Sequence, residues 1–229
     1  MTARELAVAM HVKSPFLEGL ARSELNTILS AARYLRYPAG AVVAMQSTPA
    51  SSMFLLVKGR ARFFILTPQG KKILLLWLPE GEMFGVSAML SQSLDYIVST
   101  ETLRDSILLV WDRPAIRELA IRYPRLVDNA LIAAREYLTF CVTAHIAFTS
   151  HTAKQRLADI LLHLSQGIGR PVPRGIELDV TNEELAQAAN VTPFTTSRLI
   201  SAWQKKGALI KSRGKIVLLS PGKLLLPAA

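Results

Sequence analysis

The stretch spanning residues 180–220 constrains the fold of this chain more than any other part of the sequence. Thr181 can cap a helix, and Glu184, three residues later, completes the capping-box pattern. Asn190 stands at a sharp turn, where Asn tolerates a left-handed backbone better than most residues. Pro193 is acceptable in the first turn of a second helix. The pattern predicts two short helices joined by a tight turn.

A basic hairpin is predicted directly after these two helices. The segment between two short apolar runs carries three basic residues, Lys211, Arg213 and Lys215. Two helices within about residues 181–203, followed by a basic hairpin, form a winged helix-turn-helix, which reads DNA with its second helix. We therefore expect double-stranded DNA as a partner.

The outward face of the second helix is expected to contact the DNA. Arg198 can donate two hydrogen bonds to guanine O6 and N7, and Ser197 beside it is small enough for close approach. Phe194 packs either on a thymine methyl group or against the wing or the first helix, and both interpretations stay open. Thr196 is a further predicted phosphate donor. The predicted DNA-binding set is Thr192, Pro193, Phe194, Thr195, Ser197, Arg198, Lys211, Arg213 and Lys215.

Charge, cysteine content and hydropathy narrow the class of protein. The formal net charge is +10, and the residues after 150 carry eleven Lys or Arg against five Asp or Glu, which favours a polyanionic partner. A single cysteine excludes an intramolecular disulfide and argues against an iron–sulfur cluster, which normally needs about four thiolates. We find no catalytic motif and no metal-binding motif, so we expect no enzyme. No apolar run reaches the roughly 18 residues that span a bilayer, which predicts a cytoplasmic protein without a membrane partner.

The middle of the chain predicts a β-rich domain. Between residues 34 and 112, short β-type runs alternate with glycines and other turn residues, which is typical of a small barrel or sandwich. One of the later strands is predicted over residues 96–100. Before this domain, we expect residues 1–13 to form a loosely held arm and a helix to begin at Ser14.

A long helix is predicted from residue 125 to about residue 148. Its apolar residues alternate at spacings of four and three, which is the heptad pattern of a helix paired with its copy in a dimer. The alternative is a helix packed on its own domain. The predicted dimer seam is Val127, Leu131, Ala134, Leu138, Cys141, His145 and Phe148.

Two seam residues allow more than one interpretation. Cys141 is either a redox-sensing thiol or a small apolar residue in a packed stripe. His145 is a candidate haem ligand or pH-responsive group. Its alternative role is that of a polar seam residue that fixes the register of the helix pair.

Three glycine motifs precede the predicted helix-turn-helix in a fixed order: YPAG at residues 37–40, MFLLVKG at 53–59 and LPEGEMFG at 78–85. Together with the long helix and the winged helix-turn-helix, they resemble the Crp–Fnr family of bacterial transcription regulators. The resemblance covers about residues 14–220. It implies a homodimer that binds a two-fold-symmetric DNA site in response to a signal sensed by the β-domain. RNA polymerase is an expected partner if the protein activates transcription.

The same resemblance implies an α+β fold in three parts. Residues 1–124 are expected to form a β-roll, a jelly-roll-like sensor domain. Residues 125–149 are expected to form a dimerisation helix, and residues 150–229 the winged helix-turn-helix domain.

The effector is the least defined part of this prediction. Cyclic-nucleotide-binding members grip the phosphate with a glycine–glutamate pair and a later arginine–serine pair, where this chain has Gly85-Val86 and Tyr96-Ile97. Burying that charge without arginine costs roughly several kcal/mol, so we expect an effector other than cyclic AMP. Three basic residues could replace the arginine, although their spacing does not require it: Lys71, Lys72 and Arg104. The alternative is a haem-dependent sensor, for example of a diatomic gas. The candidate effector pocket is Met83, Phe84, Gly85, Val86, Ser87, Tyr96 and Ile97.

Overall fold

The computed structural model describes residues 2–225, so the predicted domain ends at residues 1 and 229 lie outside the described part. The chain divides into two compact units, Met1–Thr139 and Phe140–Ala229. The division falls inside the long helix, whereas the sequence places domain boundaries at both of its ends. The three-part division therefore stays a prediction.

The first unit begins with helices, which corrects the prediction of a loose arm. Helix α1 (Ala3–Ala9) has a capping box between Thr2 and Glu5, and Ala9 is buried in the core. The helix expected from Ser14 is also interrupted. A short 3-10 turn, Pro15–Leu17, is separated by Gly19, at a φ of +73°, from helix α2 (Arg22–Ser30).

Two four-stranded antiparallel sheets form the predicted β-roll, and they follow these helices along the chain. The sheets have the strand orders β1-β8-β3-β6 and β2-β7-β4-β5. Strand β7 starts at Ser99, later than predicted, because the chain bends at residues 97 and 98 after Tyr96, whose backbone is still hydrogen-bonded to Ser47 and Thr48. The strands are β1 (Arg33–Tyr37), β2 (Val42–Ala44), β3 (Ser52–Lys58), β4 (Ala61–Leu66), β5 (Lys72–Leu78), β6 (Met83–Phe84), β7 (Ser99–Thr102) and β8 (Ser106–Asp112).

Successive side chains of β3 point to opposite faces of its sheet, so the core of this unit has two layers. Phe54 and Leu56 pack in an inner core with Leu108 and Val110, between the two sheets. Met53 and Leu55 belong to an outer core that includes α1, α2 and Trp111. The indole Nε1 of Trp111 donates a hydrogen bond to Ile28 O at 2.7 Å, which ties the sheet to α2.

Two helices follow the roll, α3 (Arg113–Arg122) and α4 (Pro124–Ser150), with a break between them at Tyr123. Near the start of α4, Leu126, Asn129 and Ala130 are buried against the chain's own core. Every residue of the predicted dimer seam is instead exposed. Within residues 2–225, α4 has the length and composition of a membrane-spanning helix, which corrects the expectation that no segment does.

The second unit contains the predicted winged helix-turn-helix. Its four strands form one sheet of order β11-β12-β10-β9, so the predicted basic hairpin, β11–β12, continues a hairpin formed by β9 and β10. Its helices after α4 are α5 (Ala153–Gly167), α6 (Asn182–Ala188) and α7 (Pro193–Lys205), and its strands are β9 (Arg170–Val172), β10 (Gly175–Leu178), β11 (Leu209–Ser212) and β12 (Lys215–Leu218).

Candidate nucleic-acid interface

The helix-turn-helix forms for the local reasons that the sequence suggests. Thr181 Oγ1 accepts the Glu184 amide at 3.2 Å, and the Glu184 carboxylate accepts the Thr181 amide at 2.9 Å. These two bonds satisfy donors that the first turn of α6 would otherwise leave open. Asn190 ends the helix with a φ of +49°, in the left-handed region predicted for it. The turn between α6 and α7 is therefore encoded locally.

Arg156 on α5 fixes the position of that turn, and sequence reasoning missed it. Its Nε donates to Ala189 O at 2.8 Å and its Nη2 donates to Asn190 O at 3.2 Å. Its Nη1 donates to His151 O at 2.8 Å, just beyond the end of α4. The Arg156 guanidinium thus binds carbonyl groups from the α6–α7 turn and from the α4–α5 junction. Two of its three acceptors, Ala189 O and Asn190 O, lie more than thirty residues away in the sequence, so no local pattern marks it.

Helix α7 presents the predicted reading face to solvent. Thr192 caps it by accepting the Thr195 amide at 3.1 Å, and Pro193 occupies the first turn. Ser197 and Arg198 are exposed, and Phe194 is 78% exposed. Phe194 therefore does not pack against the wing or α6, which removes one of its two interpretations.

The opposite face of α7 is anchored in the core of the unit. Ile200 and Trp203 are buried, and Trp203 Nε1 donates to Leu224 O at 3.0 Å. This bond fixes the rotation of α7 about its axis. The exposed face is consequently presented in one orientation.

Thr196 corrects one prediction. It is fully buried, so its hydroxyl cannot donate to a phosphate, and no hydrogen-bond partner is found for that hydroxyl within the described residues. The burial of Thr196 was not predicted, because the residue stands between two polar residues and its burial depends on the pitch of the helix.

We expect Thr196→Val to stabilise the protein. An unsatisfied buried hydroxyl costs on the order of 1–3 kcal/mol, and valine keeps the branched shape without that group. A gain of about 1 kcal/mol should raise the melting temperature by roughly 2–4 °C, measured by thermal denaturation. Thr195→Val is the matched control: the Thr195 hydroxyl lies 3.0 Å from Thr192 Oγ1, so its loss should give no gain. An unchanged or lower melting temperature for the Thr196 variant would contradict the prediction.

The wing carries its basic residues in two different environments. Lys211 and Arg213 are exposed beside the tight turn at Gly214, which has a φ of +70°. Lys215 lies 3.2 Å from Glu177 on β10, which also pairs with Arg170 at 2.7 Å. Two hydrogen bonds hold the pKa of Glu177 below its usual range, and the bond from Arg170 contributes more than the bond from Lys215. The positive charge of Lys215 is therefore partly neutralised, unlike the charges at the wing tip.

The effector-pocket candidates in the roll lie in different layers of the core. Met83 and Phe84 are neighbours on β6 and point to opposite sides, so Met83 joins the outer core and Phe84 the inner core. Val86 packs against the outer core, and Ser87 lies in the short 3-10 turn Val86–Met89. Ile97 is 82% exposed. Alternation along the strand separates residues that are adjacent in sequence.

Gly85 and Tyr96 are the two candidates that do come together. Gly85 has a φ of +80°, and a Cβ atom there would lie 2.7 Å from Ser52 O and 3.3 Å from the Tyr96 ring. The Tyr96 hydroxyl donates to Ser52 O at 2.8 Å and accepts from Ser52 N at 3.0 Å. Tyr96 is thus a buried, hydrogen-bonded side chain that covers the Gly85 turn.

The remaining potential ligand groups do not assemble a site. No group of three or more His, Cys, Asp or Glu residues able to hold a metal ion occurs among residues 2–225. An open cleft of about 420 Å³ lies away from the roll interior, between the N-terminal helices, where Met10, Leu25 and Leu29 contribute to its lining. Cys141 and His145 are exposed on α4.

Each of the two units contains a match to a known domain family. Residues 155–226 match the Crp-like helix-turn-helix domain, and residues 34–123 match the cyclic nucleotide-binding domain. The cyclic AMP receptor protein of Thermus thermophilus is 29% identical over 212 residues, which are 91% of this chain and 90% of that protein. The chain belongs to the Crp–Fnr family.

Two solved structures share the fold. FixK2 from Bradyrhizobium japonicum has a TM-score of 0.74 at 19% identity and covers 86% of this chain and 98% of its own. The c-di-GMP-responsive regulator CLP of Xanthomonas campestris has a TM-score of 0.73 at 18% identity, with coverage of 86% and 99%. This Crp–Fnr protein is a DNA-binding transcription regulator whose N-terminal domain is of the ligand-sensing type, and the family consists of regulators, not enzymes.

The roll turn of this Crp–Fnr protein is covered by a buried aromatic ring. Tyr96 covers Gly85, where a phosphate would need an open cradle and a cationic partner. Lys72, one potential replacement cation, is bonded to Glu101 and lies over the Phe64 ring at 4.2 Å.

Glu101 engages a second cation as well, because Arg62 Nη2 lies 3.0 Å from its carboxylate. Burial raises the pKa of Glu101, but hydrogen bonds and charges from Lys72 and Arg62 outweigh burial and hold the pKa below its usual range. The carboxylate therefore stays charged near neutral pH. Both cations are already paired within the chain and are not poised for an added phosphate.

Proposed function

We propose that the protein acts as a homodimer that binds a two-fold-symmetric operator. The observation that carries this proposal is the exposure of the predicted seam: Leu131 and Leu138 are each 63% exposed, and Phe148 is 47% exposed. A heptad stripe of large apolar residues in water calls for a partner surface, and a second copy of α4 supplies the same spacing. The same pairing accounts for the apolar composition of α4 without a membrane.

A symmetric dimer explains how the helix-turn-helix would bind its operator. Two copies of α7 would enter successive major grooves about 34 Å apart, one turn of the duplex. Arg198 would read guanine, and Ser197 would allow the helix to come close. Lys211 and Arg213 at the wing tip, with Thr192 and Thr195 at the start of α7, would contact phosphates. These contacts supply affinity that falls steeply with salt and little choice of sequence.

The experiment that tests this function is a selection from random duplexes, performed with the full chain. We expect enrichment of an inverted repeat, bound with a salt-sensitive affinity by a species of twice the monomer mass. The absence of any enriched sequence, with the protein alone and with cell extract added, would contradict the proposal.

The signal that controls binding is proposed to be something other than cyclic AMP. The support is the occupied turn at Gly85 and the pairing of Lys72 with Glu101. Haem is the alternative effector: a Soret band in the absorption spectrum of the purified or haem-supplemented protein would favour it, and a featureless spectrum would count against it. Activation would add RNA polymerase as a partner, and the site of action would be the cytoplasm.

We expect Phe194→Glu to change the operator preference without abolishing binding. An exposed phenylalanine can contact only a thymine methyl group, whereas glutamate accepts a hydrogen bond from cytosine N4. A selection with the variant should enrich cytosine at the position that Phe194 faces, and the discrimination gained should be roughly 1–3 kcal/mol. Thr195→Ala, a change of a neighbouring phosphate donor, should leave the preferred sequence unchanged. If the Phe194 variant selects the parental sequence, Phe194 does not contact a base.

A further inference from the structure

Five aromatic rings run without a gap from the Gly85 turn to the dimerisation helix. We name them the aromatic ladder: Tyr96, Phe54, Phe84, Phe63 and Tyr137. Tyr96, Phe54 and Phe84 lie in the inner core, with no more than 8% of any of them exposed. Phe63 on β4 lies between Phe84 and Tyr137 of α4. The ladder links the interior of the roll to the helix that carries the proposed dimer seam.

Each step of the ladder has a geometry that aromatic pairs favour. Tyr96 and Phe54 lie 6.4 Å apart, and Phe54 stacks on Phe84 at 4.8 Å with an angle of 13°. The last two steps are edge-to-face, Phe84 to Phe63 at 6.2 Å and Phe63 to Tyr137 at 6.0 Å. Centroid separations of about 4.5–7 Å are those at which rings attract each other. The ladder is therefore a set of packed, mutually supporting contacts.

The ladder connects an anchored tyrosine to a helix that is itself anchored near its start. At the roll end, both bonds of the Tyr96 hydroxyl are taken by Ser52, so this ring is held over Gly85. About two turns before Tyr137, Asn129 of α4 donates to Phe16 O at 2.8 Å and Glu18 O at 2.9 Å, which fixes the start of the helix on the same unit.

We propose that the aromatic ladder does the work of a bound effector, so that the ligand-free protein is the form that binds DNA. Three of the rings pack in the inner core of the roll, and Phe63 and Tyr137 join that core to α4, which is what a ligand between a sensor and a helix would otherwise do. A small molecule that enters this interior has to displace a ring, and it therefore lowers DNA affinity. This inference rests on the proposed function of a dimeric operator-binding regulator.

The first test uses protein stripped of small molecules by complete unfolding and refolding. Operator duplex from the selection is titrated with stripped and untreated protein, with and without saturating cyclic AMP, and binding is followed by fluorescence anisotropy. We expect the same affinity in all four titrations. Untreated protein that binds while stripped protein does not would overturn the ladder proposal and leave the operator function intact. Failure of both preparations to bind would instead refute the operator function. An affinity raised by cyclic AMP would overturn the ladder proposal.

The second test removes one ring and then replaces it. Phe63→Ala breaks two steps of the ladder and should weaken operator binding by about tenfold. The hole left between Phe84 and Tyr137 is apolar, and such cavities accept small aromatic molecules. Adding toluene should therefore restore the affinity of the variant and leave the unmodified protein unaffected. Tyr137→Ala, which removes the ring at the helix end, should weaken binding in the same direction.

Phe64→Ala is the matched control. Phe64 is the next residue on β4 and is more deeply buried than the half-buried Phe63, at 1% exposure, but it contacts Lys72 and takes no part in the ladder. We expect this variant to lose stability while keeping operator affinity when measured below its melting temperature. An equal loss of affinity in the Phe63 and Phe64 variants, or a Phe63 variant that toluene does not rescue, would overturn the proposal.

Discussion

Arg198→Ala is expected to remove most of the preference of this regulator for its operator while keeping most of its general affinity for DNA. Arg198 is exposed on α7, and a bidentate arginine–guanine contact is worth roughly 1–3 kcal/mol of discrimination. A symmetric dimer makes the contact twice, so operator affinity should fall by about thirtyfold to about ten-thousandfold. Titrations of operator and random duplex at one salt concentration measure the ratio directly.

Arg213→Ala provides the comparison, because it removes the same charge from the wing tip. A phosphate contact carries no sequence information, so this variant should lose affinity for operator and random duplex alike. Its salt dependence should also become shallower, by about one unit of slope per lost contact. If Arg198→Ala behaves like Arg213→Ala, Arg198 contacts phosphate and not a base, and the recognition residue has to be sought elsewhere on α7.

The paired change Leu131→Glu and Leu138→Glu is expected to give a folded monomer that does not hold its operator. Both leucines are 63% exposed, and burying such a side chain contributes roughly 1.5–3 kcal/mol, so the seam loses its largest apolar contacts and gains buried charge. Without the partner, the second half-site is no longer tethered, and affinity should fall by about 10²–10⁴-fold. Sedimentation equilibrium reports the mass, and anisotropy the affinity.

Thr143→Glu is the control for a charge placed on the same helix. Thr143 is exposed and lies outside the heptad stripe, so this variant should remain dimeric and bind as before. Circular dichroism should show the same helix content for both variants. If the double-leucine variant sediments as a dimer, the seam lies on another surface and the heptad interpretation fails.

The reading unit could be predicted because its signals are local. A capping box uses residues three apart, and the left-handed Asn190 depends only on its own side chain and the turn. Exposure of Arg198 follows from the helical period once the apolar positions of α7 are known. Most strands of the roll followed from their own residues and turns, but β1 and β6 had no predicted counterpart and β7 starts at Ser99 instead of residue 96.

The features that were missed depend on residues far apart in the sequence. Arg156 binds carbonyls more than thirty positions away, and nothing near it marks that role. Helix α1 was taken for a loose arm because its stability comes from packing Ala9 into the outer core. The effector pocket was placed on consecutive residues, although alternation on β6 sends Met83 and Phe84 into different layers. Contacts between residues of different elements cannot be predicted from local periodicity.

In the proposed dimer, helix α4 would separate the residues that stabilise each protomer from those that contact its partner. Leu126, Asn129 and Ala130 face the chain's own core, while the seam residues make no part of that core. Substitutions in the seam could therefore accumulate without unfolding the subunit. In a cell that contains several regulators of this architecture, divergence along this one stripe would favour pairing of each protein with its own copies over mixed dimers with hybrid operator preferences.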